Sequence, residues 1–304
     1  MLETRNDSPL THGQPVVNAA PGVTILGTGS GCGKTWHVVA LLKAISMRGG
    51  HPVPFKPISV VDLDDLTSGD PRPWARAIHH HLMAAGLPYE PDYNPLVVVP
   101  VSESEGMLFL RGRERSAVKL NGPDQVDFAA MDEALFAECT SVIEDSLSAC
   151  RASATFVLVE GSGDSGAARQ GPADLANSLA VDAAGYPVIS VFRPGSSRYA
   201  SLGEYRRQLG PEAASLLKAV VVNNPSGHAL PPDMADFALP VGLSSSVELP
   251  RSDGSVVQQR IRHEVLAEHV WRTLPWASWV SAIDPQVNRT PDLVPARLCL
   301  QEGN

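Results

Sequence analysis

A short apolar run, a glycine-rich loop and a helical pattern follow one another near the start of the chain. The run is Val23-Thr-Ile-Leu26, the loop extends from Gly27 to Thr35, and apolar residues then recur at helical spacing from Val38 to Ile45. Glycines let successive backbone N–H groups turn toward an anion, and the helix start adds a partial positive charge. This order predicts a P-loop that binds a nucleotide, in which Lys34 reaches the β- and γ-phosphates and the Thr35 hydroxyl coordinates Mg²⁺.

The spacing within this loop departs from the usual P-loop pattern. Five residues instead of four separate Gly27 from Gly33, and Thr28 stands where the usual first glycine would be. A merely flexible glycine loop is the alternative, but the strand, the Gly-Lys-Thr sequence and the helix all occur in register. We expect the nucleotide to contact Thr28, Gly29, Ser30, Gly31, Cys32, Gly33, Lys34 and Thr35.

Strand-like apolar runs alternate with helical patterns along most of the chain. This alternation predicts an α/β, P-loop NTPase-like three-layer fold with a mostly parallel central sheet. We expect a flexible arm over residues 1–21, one domain over 22–280 and a tail over 281–304. The predicted strands are 23–26, 96–101, 107–110, 156–159, 187–192 and 218–222, with an extended segment at 52–57. The predicted helices are 35–48, 74–85, 129–149, 174–184, 202–217 and 261–274.

The composition excludes several classes of protein. Lys and Arg number 24 against 33 Asp and Glu, which gives a formal net charge of −9. Proteins that bind nucleic acid or anionic membranes rely on a basic surface, and the apolar runs are far shorter than the roughly 20 residues of a membrane span. The four scattered cysteines and the lack of a secretory signal pattern lead us to expect a cytoplasmic protein with reduced thiols.

The P-loop spacing and several further segments resemble the superfamily of cobyric acid synthase and dethiobiotin synthetase. Phe55-Lys56-Pro57 and Val159-Glu-Gly-Ser-Gly163 are similar to segments of both families. The segments that resemble cobyric acid synthase more closely are Ala84–Pro100 with its Asn94-Pro95, Val101–Gly112, Asp174-Leu-Ala-Asn177, Ala200-Ser-Leu-Gly203 and Val220–Asn224. The resemblance covers residues 22–225 and is closest to the N-terminal synthetase domain of cobyric acid synthase.

This resemblance implies an ATP- and Mg²⁺-dependent ligase. Such an enzyme activates a small-molecule carboxylate, or a carbamate, by phosphorylation, and ammonia or an amine then attacks to form a C–N bond. The resemblance places Lys56 at the transferred phosphoryl group, so Lys34 and Lys56 are the expected catalytic residues. It makes Glu160 and Asp70 the expected Mg²⁺ ligands beside Thr35. Asp62, Asp64 and Asp65 are alternatives to Asp70.

The resemblance also assigns contacts to the base and the substrate. Asn223 or Asn224 is placed to read the edge of adenine. The expected substrate contacts are Lys56, Ser59, Gly161, Asp174, Asn177 and Arg193. Arg193 and Arg198 replace acidic positions of the family's Asp-Ile-Asp-Arg-Gly-Gly segment, and such a pair would suit a small anionic substrate because guanidinium binds carboxylate or phosphate through two hydrogen bonds.

A second departure from cobyric acid synthase concerns the nitrogen source. We find no segment for the Cys-His-Glu glutaminase site of that family, because the only cysteine after position 150 is Cys299. We therefore expect nitrogen to come from free ammonia, a separate glutaminase subunit or an amine substrate. We also expect a homodimer, and this expectation rests on the resemblance alone.

Three other functions remain open. A dethiobiotin synthetase-like carboxylase would capture CO₂ on an amine and depend on bicarbonate, but the Asn94-Pro95 and Asp174–Asn177 segments weigh against it. A partitioning or regulatory ATPase would release no small product, and it would carry a signature lysine where this chain has Gly29. The third is a nucleotide-binding subunit that catalyses no reaction. The presence of Lys34, Lys56 and Glu160 favours a catalytic protein instead.

Three consecutive histidines, His79, His80 and His81, invite interpretation as a metal site. Neighbouring residues on a helix point in different directions, so these three side chains cannot share one ion with good geometry. We interpret them as a partly exposed helix face.

Overall fold

The structure, a computed structural model, describes residues 20–61, 76–122, 125–165, 175–194, 199–223, 233, 238–241 and 256–273. Outside these residues lie the tail, nearly all of the predicted arm, and Asp62, Asp64, Asp65, Asp70, Asp174, Arg198 and Asn224. The strands are β1 (Gly22–Gly27), β2 (Pro52–Phe55), β3 (Ile58–Val60), β4 (Leu96–Pro100), β5 (Glu105–Leu110), β6 (Arg113–Lys119), β7 (Phe156–Glu160), β8 (Val188–Phe192), β9 (Leu217–Asn223) and β10 (Ala238–Val241). The helices are α1 (Lys34–Ser46), α2 (Arg76–Ala85), α3 (Glu133–Ser153), α4 (Ser178–Ala184), α5 (Leu202–Leu209), α6 (Pro211–Leu216) and α7 (Val256–Thr273).

Within the described residues, six strands form a central sheet in the order β10-β9-β8-β1-β7-β2. Every adjacent pair in this order is parallel. Strands β1, β7 and β8 are buried along their whole length, as strands covered on both faces must be. Such strands read as continuous apolar runs in the sequence. The predicted α/β fold with a parallel central sheet is confirmed.

Alternate residues of the sheet strands pack against helices on opposite faces. Ile25 and Leu158 belong to the apolar cluster that contains α1 and α7 residues. Val157 and Val159 belong instead to the cluster built with α3 and α4, and Leu26 packs with α5. A period of two is the geometry of a strand between two layers, so the sheet is the middle of three layers.

A second sheet of four strands has the order β3-β4-β5-β6. Strands β3 and β4 pair in parallel, and the other pairs are antiparallel. The apolar pattern did not predict β6, because Val118 is the one buried residue in a segment whose other residues are exposed or, at Ser116, half-buried. Its pairing with β5 through backbone hydrogen bonds is invisible in the hydrophobic pattern.

The helix boundaries differ from the prediction where local backbone chemistry decides them. The single helix predicted over 202–217 is two helices, because Gly210 adopts a φ of 76° and Pro211 begins α6. Helix α3 begins at Glu133 and not at 129, because the Asp132 side chain accepts hydrogen bonds from the N–H groups of Ala134 and Leu135. No helix in the described ranges is long and apolar enough to cross a membrane.

Candidate active site

The carboxyl ends of the parallel strands bring the candidate site residues to one edge of the sheet. The glycine-rich loop follows β1, Lys56 follows β2, Glu160 ends β7, Arg193 follows β8 and Asn223 ends β9. Ligands of open α/β sheets bind at this edge. Residues that are far apart in the sequence therefore meet because each directly ends or follows a buried strand.

The loop between β1 and α1 is shaped as an anion cradle. Gly31 and Gly33 adopt φ angles of 68° and 107°, which side-chain-bearing residues rarely adopt. A Cβ atom added to Gly33 would lie 2.6 Å from Asn223 Nδ2, so the close approach also requires glycine. Gly33 is the N-cap of α1, and no described side chain caps that helix. The backbone N–H groups of its first turn are thus left for an anion.

Lys34 is a buried ammonium with neutral partners. Its side chain is 7% exposed, and Nζ donates to the carbonyl oxygens of Gly29 at 3.0 Å and Gly163 at 2.7 Å. Among the described residues, no carboxylate forms an ion pair with it. This positive charge at the helix start therefore suits the phosphates of a nucleotide.

Glu160 is the centre of the site. Its Oε1 accepts hydrogen bonds from Thr35 Oγ1 and Lys56 Nζ, both at 2.9 Å. Its Oε2 lies 2.7 Å from His81 Nε2. Burial would raise the pKa of this carboxyl, but the nearby Lys56 and His81 outweigh burial and hold its pKa well below the usual range. Glu160 is therefore an ionised carboxylate although the residue is only 2% exposed.

The described donor set fits a magnesium ion. The Thr35 hydroxyl and the Glu160 carboxylate are hard oxygen donors whose oxygens are 2.9 Å apart at the start of α1. Mg²⁺ prefers such ligands and keeps waters and phosphate oxygens for its other positions, so two protein oxygens suffice. Within the described ranges, no group of three His, Cys, Asp or Glu side chains could hold a metal ion. Asp70, the predicted third ligand, lies outside them.

The turn after β7 connects several of the predicted substrate contacts. The Gly161 carbonyl lies 3.4 Å from Lys56 Nζ, and the Asn177 side chain donates to the Ser162 carbonyl at 2.8 Å. The Ser162 hydroxyl donates to the carbonyl of Ile58, the residue before Ser59. Ser59 is 3% exposed, and its Oγ has no hydrogen-bond partner among the described residues. The structure thus gathers Lys56, Gly161 and Asn177 around this turn, with Ser59 beside it.

Two other predicted residues touch the P-loop itself. Arg193 is exposed and donates through Nη1 to the Gly31 carbonyl at 3.1 Å. Asn223 is buried, and its Nδ2 donates to the Cys32 carbonyl at 3.0 Å. Its Oδ1 accepts no hydrogen bond from the described residues. Asn223 thus supports the loop through one side-chain atom and retains an acceptor; its adenine-reading role stays a prediction.

A buried hydroxyl network that the sequence analysis did not identify fixes the loop after β7 against the P-loop. Tyr205 OH lies 2.9 Å from Ser165 Oγ and 2.6 Å from Ser190 Oγ. Ser165 Oγ donates to the Gly27 carbonyl at 2.9 Å, where β1 ends. The network holds in place the segment whose Gly163 carbonyl binds Lys34. No local pattern in the sequence signals it, because its members come from three separate segments.

The interpretation of the histidine run as a partly exposed face was wrong for two of its three residues. His80 and His81 are 1% and 0% exposed. Helix α2 packs against α1, β2 and α7, so more than one of its faces is buried. Ile78, three residues before His81, is fully buried on the same side of the helix. That spacing was the available signal that His81 faces the interior.

Comparison with known proteins gives sequence matches to cobyric acid synthases. The protein of that name from Hyphomonas neptunium is 26% identical over 254 residues, which cover 79% of this chain and 49% of the relative. The one from Ruegeria sp. is 31% identical over 167 residues, or 55% of this chain and 33% of the relative. The chain spans about half the length of these relatives or less. The predicted resemblance to cobyric acid synthase is confirmed.

The match to a solved structure is weaker in sequence identity than the matches to cobyric acid synthases. A cobyrinic acid a,c-diamide synthase from Mycobacterium smegmatis, solved with bound ADP and magnesium, aligns with 86% of this chain and 96% of its own. Its sequence identity is 18% and the TM-score is 0.40. No protein-family model matches the chain.

Proposed function

We propose that this protein is an ATP- and Mg²⁺-dependent ligase. It activates a small-molecule carboxylate, or a carbamate, by phosphorylation, and ammonia or an amine then forms a C–N bond. The observation that carries the proposal is the convergence of Lys56 and the P-loop residue Thr35 on the buried carboxylate of Glu160, with Lys34 on the same loop. The sequence similarity to cobyric acid synthases supports the same chemistry.

The chemistry consists of two displacements. A carboxylate oxygen of the substrate attacks the γ-phosphorus of ATP, the bond to the leaving oxygen of ADP breaks, and an acyl phosphate forms. The amine nitrogen then attacks the acyl carbon, the C–O bond to phosphate breaks, and the nitrogen loses a proton to solvent. Phosphoryl transfer needs mainly positioning and neutralisation of charge. The balance of atoms requires one ATP, one carboxylate and one amine.

The residues of the site have distinct roles in this scheme. Lys34 binds the β- and γ-phosphates, and Lys56 neutralises the charge on the transferred group. Thr35 and Glu160 hold Mg²⁺, which supplies further neutralisation at the phosphate oxygens. Arg193, beside Gly31, adds positive charge at the mouth of the loop. We propose further that the enzyme is a homodimer and takes nitrogen from ammonia, a separate glutaminase or an amine substrate.

The test measures ADP and phosphate release from MgATP with a panel of small carboxylates and diamines. Each is supplied with ammonium or with bicarbonate, and the bicarbonate arm detects the carboxylase alternative. Lys34→Ala and Lys56→Ala are compared with Arg115→Ala, which changes an exposed cation on the second sheet. We expect substrate-dependent ADP release that both active-site substitutions abolish and the control retains. Tight ATP binding without stimulated ADP release across the whole panel would contradict the proposal that the protein is a ligase.

A further inference from the structure

Three contacts to Glu160 divide unequally between its two oxygens. Thr35 and Lys56 both contact Oε1, and His81 alone approaches Oε2, at 2.7 Å. The two atoms are close enough for an ion-pair contact, but their alignment is not that of a hydrogen bond. Neither the sequence analysis nor the proposed function gives His81 a role.

A carboxylate held through one oxygen can pivot about that oxygen. A contact on the second oxygen fixes the plane of the group, and therefore the direction in which Oε1 faces Thr35. Groups that hydrogen-bond to a metal-binding carboxylate set its orientation, and their loss typically weakens metal binding. Among the described side chains, the polar contact of Oε2 is with His81, and no described group donates a hydrogen bond to this oxygen.

His81 is itself rigidly placed. The side chain is 0% exposed on α2, which packs against α1, β2 and α7. The buried apolar residues Ile78 and Leu82 lie on the same helix. Placing a polar ring in such a position is costly unless a nitrogen has a polar partner. Neither ring nitrogen has a hydrogen bond among the described residues, so the close contact of Nε2 with the Glu160 carboxylate is the polar interaction that offsets this cost.

We propose that His81 is a positioning residue, which holds the Glu160 carboxylate so that Oε1 faces the magnesium ion bound beside Thr35. The proposal rests on the proposed function, since it presupposes that MgATP binds at the P-loop. It predicts that loss of the His81 ring, and with it the contact to Oε2, weakens the magnesium-dependent part of nucleotide binding and leaves metal-free binding unchanged.

The experiment measures the dissociation constant of a fluorescent, non-hydrolysable ATP analogue in excess Mg²⁺ and in excess EDTA. The dissociation constant in EDTA divided by the dissociation constant in Mg²⁺ is the factor by which the metal tightens binding, and this quotient is the ratio that is compared between variants. The variants are His81→Leu, which removes the polar ring, and His81→Gln, which retains an N–H donor. His80→Leu is the matched control, because His80 is equally buried on the same helix but its ring packs against the ring of His263. Thermal melting measures stability in each variant.

We expect His81→Leu to lower the ratio about 10-fold or more, and His81→Gln to restore part of it. His80→Leu should lower the melting temperature and keep the ratio of the wild-type protein. If His81→Leu does not fold, His81→Asn replaces it, since the shorter amide cannot reach Oε2, and the same loss is expected. An unchanged ratio in a folded variant that lacks the contact to Oε2 would overturn the proposal. Nucleotide binding by the wild-type protein that does not depend on Mg²⁺ would instead contradict the proposed function.

Discussion

Removal of one partner from the buried Lys56–Glu160 pair should destabilise the folded protein strongly. The ammonium nitrogen and the carboxylate oxygen are 2.9 Å apart, and the side chains are 9% and 2% exposed, so solvent screens neither charge well. In Lys56→Met, Thr35 and His81 are the polar contacts that the described residues would still give the buried carboxylate. Breaking a buried pair costs about 3–5 kcal/mol, and we expect about 3 kcal/mol because those two contacts persist.

A double-mutant cycle measures the interaction itself. Glu160→Gln removes the opposite charge, so the double variant should be more stable than the sum of the single effects predicts, by about 2 kcal/mol. Free energies of unfolding come from urea denaturation of the nucleotide-free protein. The control cycle uses Arg115 and Glu138, whose N–O distance is 3.0 Å but whose side chains are 50% and 39% exposed. That exposed pair should couple by less than about 1 kcal/mol. Equal coupling in the two cycles would refute the burial argument.

Two further predictions concern buried polar groups other than the proposed magnesium ligands. Burial lowers the pKa of His37 from 6.5 to about 4. Between these two pKa values the unfolded chain binds a proton that the folded protein does not, so the free energy of unfolding should fall by about 2 kcal/mol between pH 7 and pH 5. Urea denaturation at both pH values should show a smaller fall in His37→Leu. An identical fall in that variant would contradict the conclusion that His37 causes the effect. Tyr205→Phe removes a hydroxyl shared by Ser165 and Ser190, so it should cost about 1–2 kcal/mol; a melting temperature equal to that of the wild-type protein would show that the network does not stabilise the fold.

The strand ends were the predictable part of the site. Lys56 follows β2 and Glu160 ends β7; the sequence shows β7 as a short apolar run and predicts an extended segment at β2 from its prolines. The parallel sheet then carries both residues to the edge that holds the P-loop, whatever the length of chain between them. The pairing of Lys56 with Glu160, which are 104 residues apart, follows from this rule and a charge on each strand end.

The role of α2 could not be predicted in the same way. The orientation of a helix about its own axis depends on which neighbours cover it, and α2 is covered by α1, β2 and α7 together. Periodicity assumes a single buried face and a single exposed face. The three histidines therefore looked like a polar surface, although His81 reaches the carboxylate at the centre of the site. The break between α5 and α6 is of another kind, since Gly210 and Pro211 could have signalled it.

The two lysines of the site differ in what they must give up when a nucleotide binds. Among the described residues, Lys34 Nζ donates to two carbonyl oxygens and to the more distant Cys32 sulfur, so phosphate oxygens can replace neutral partners and gain a charge–charge attraction. Lys56 already holds the Glu160 carboxylate, and a phosphoryl group that approaches it competes with an existing charged partner. Lys56 would turn toward a phosphoryl group at less cost if Glu160 gained another cation. A magnesium ion held beside Thr35 would provide that cation. In the proposed ligase, the position of Lys56 would then depend on the metal, and this would link nucleotide binding to phosphoryl transfer.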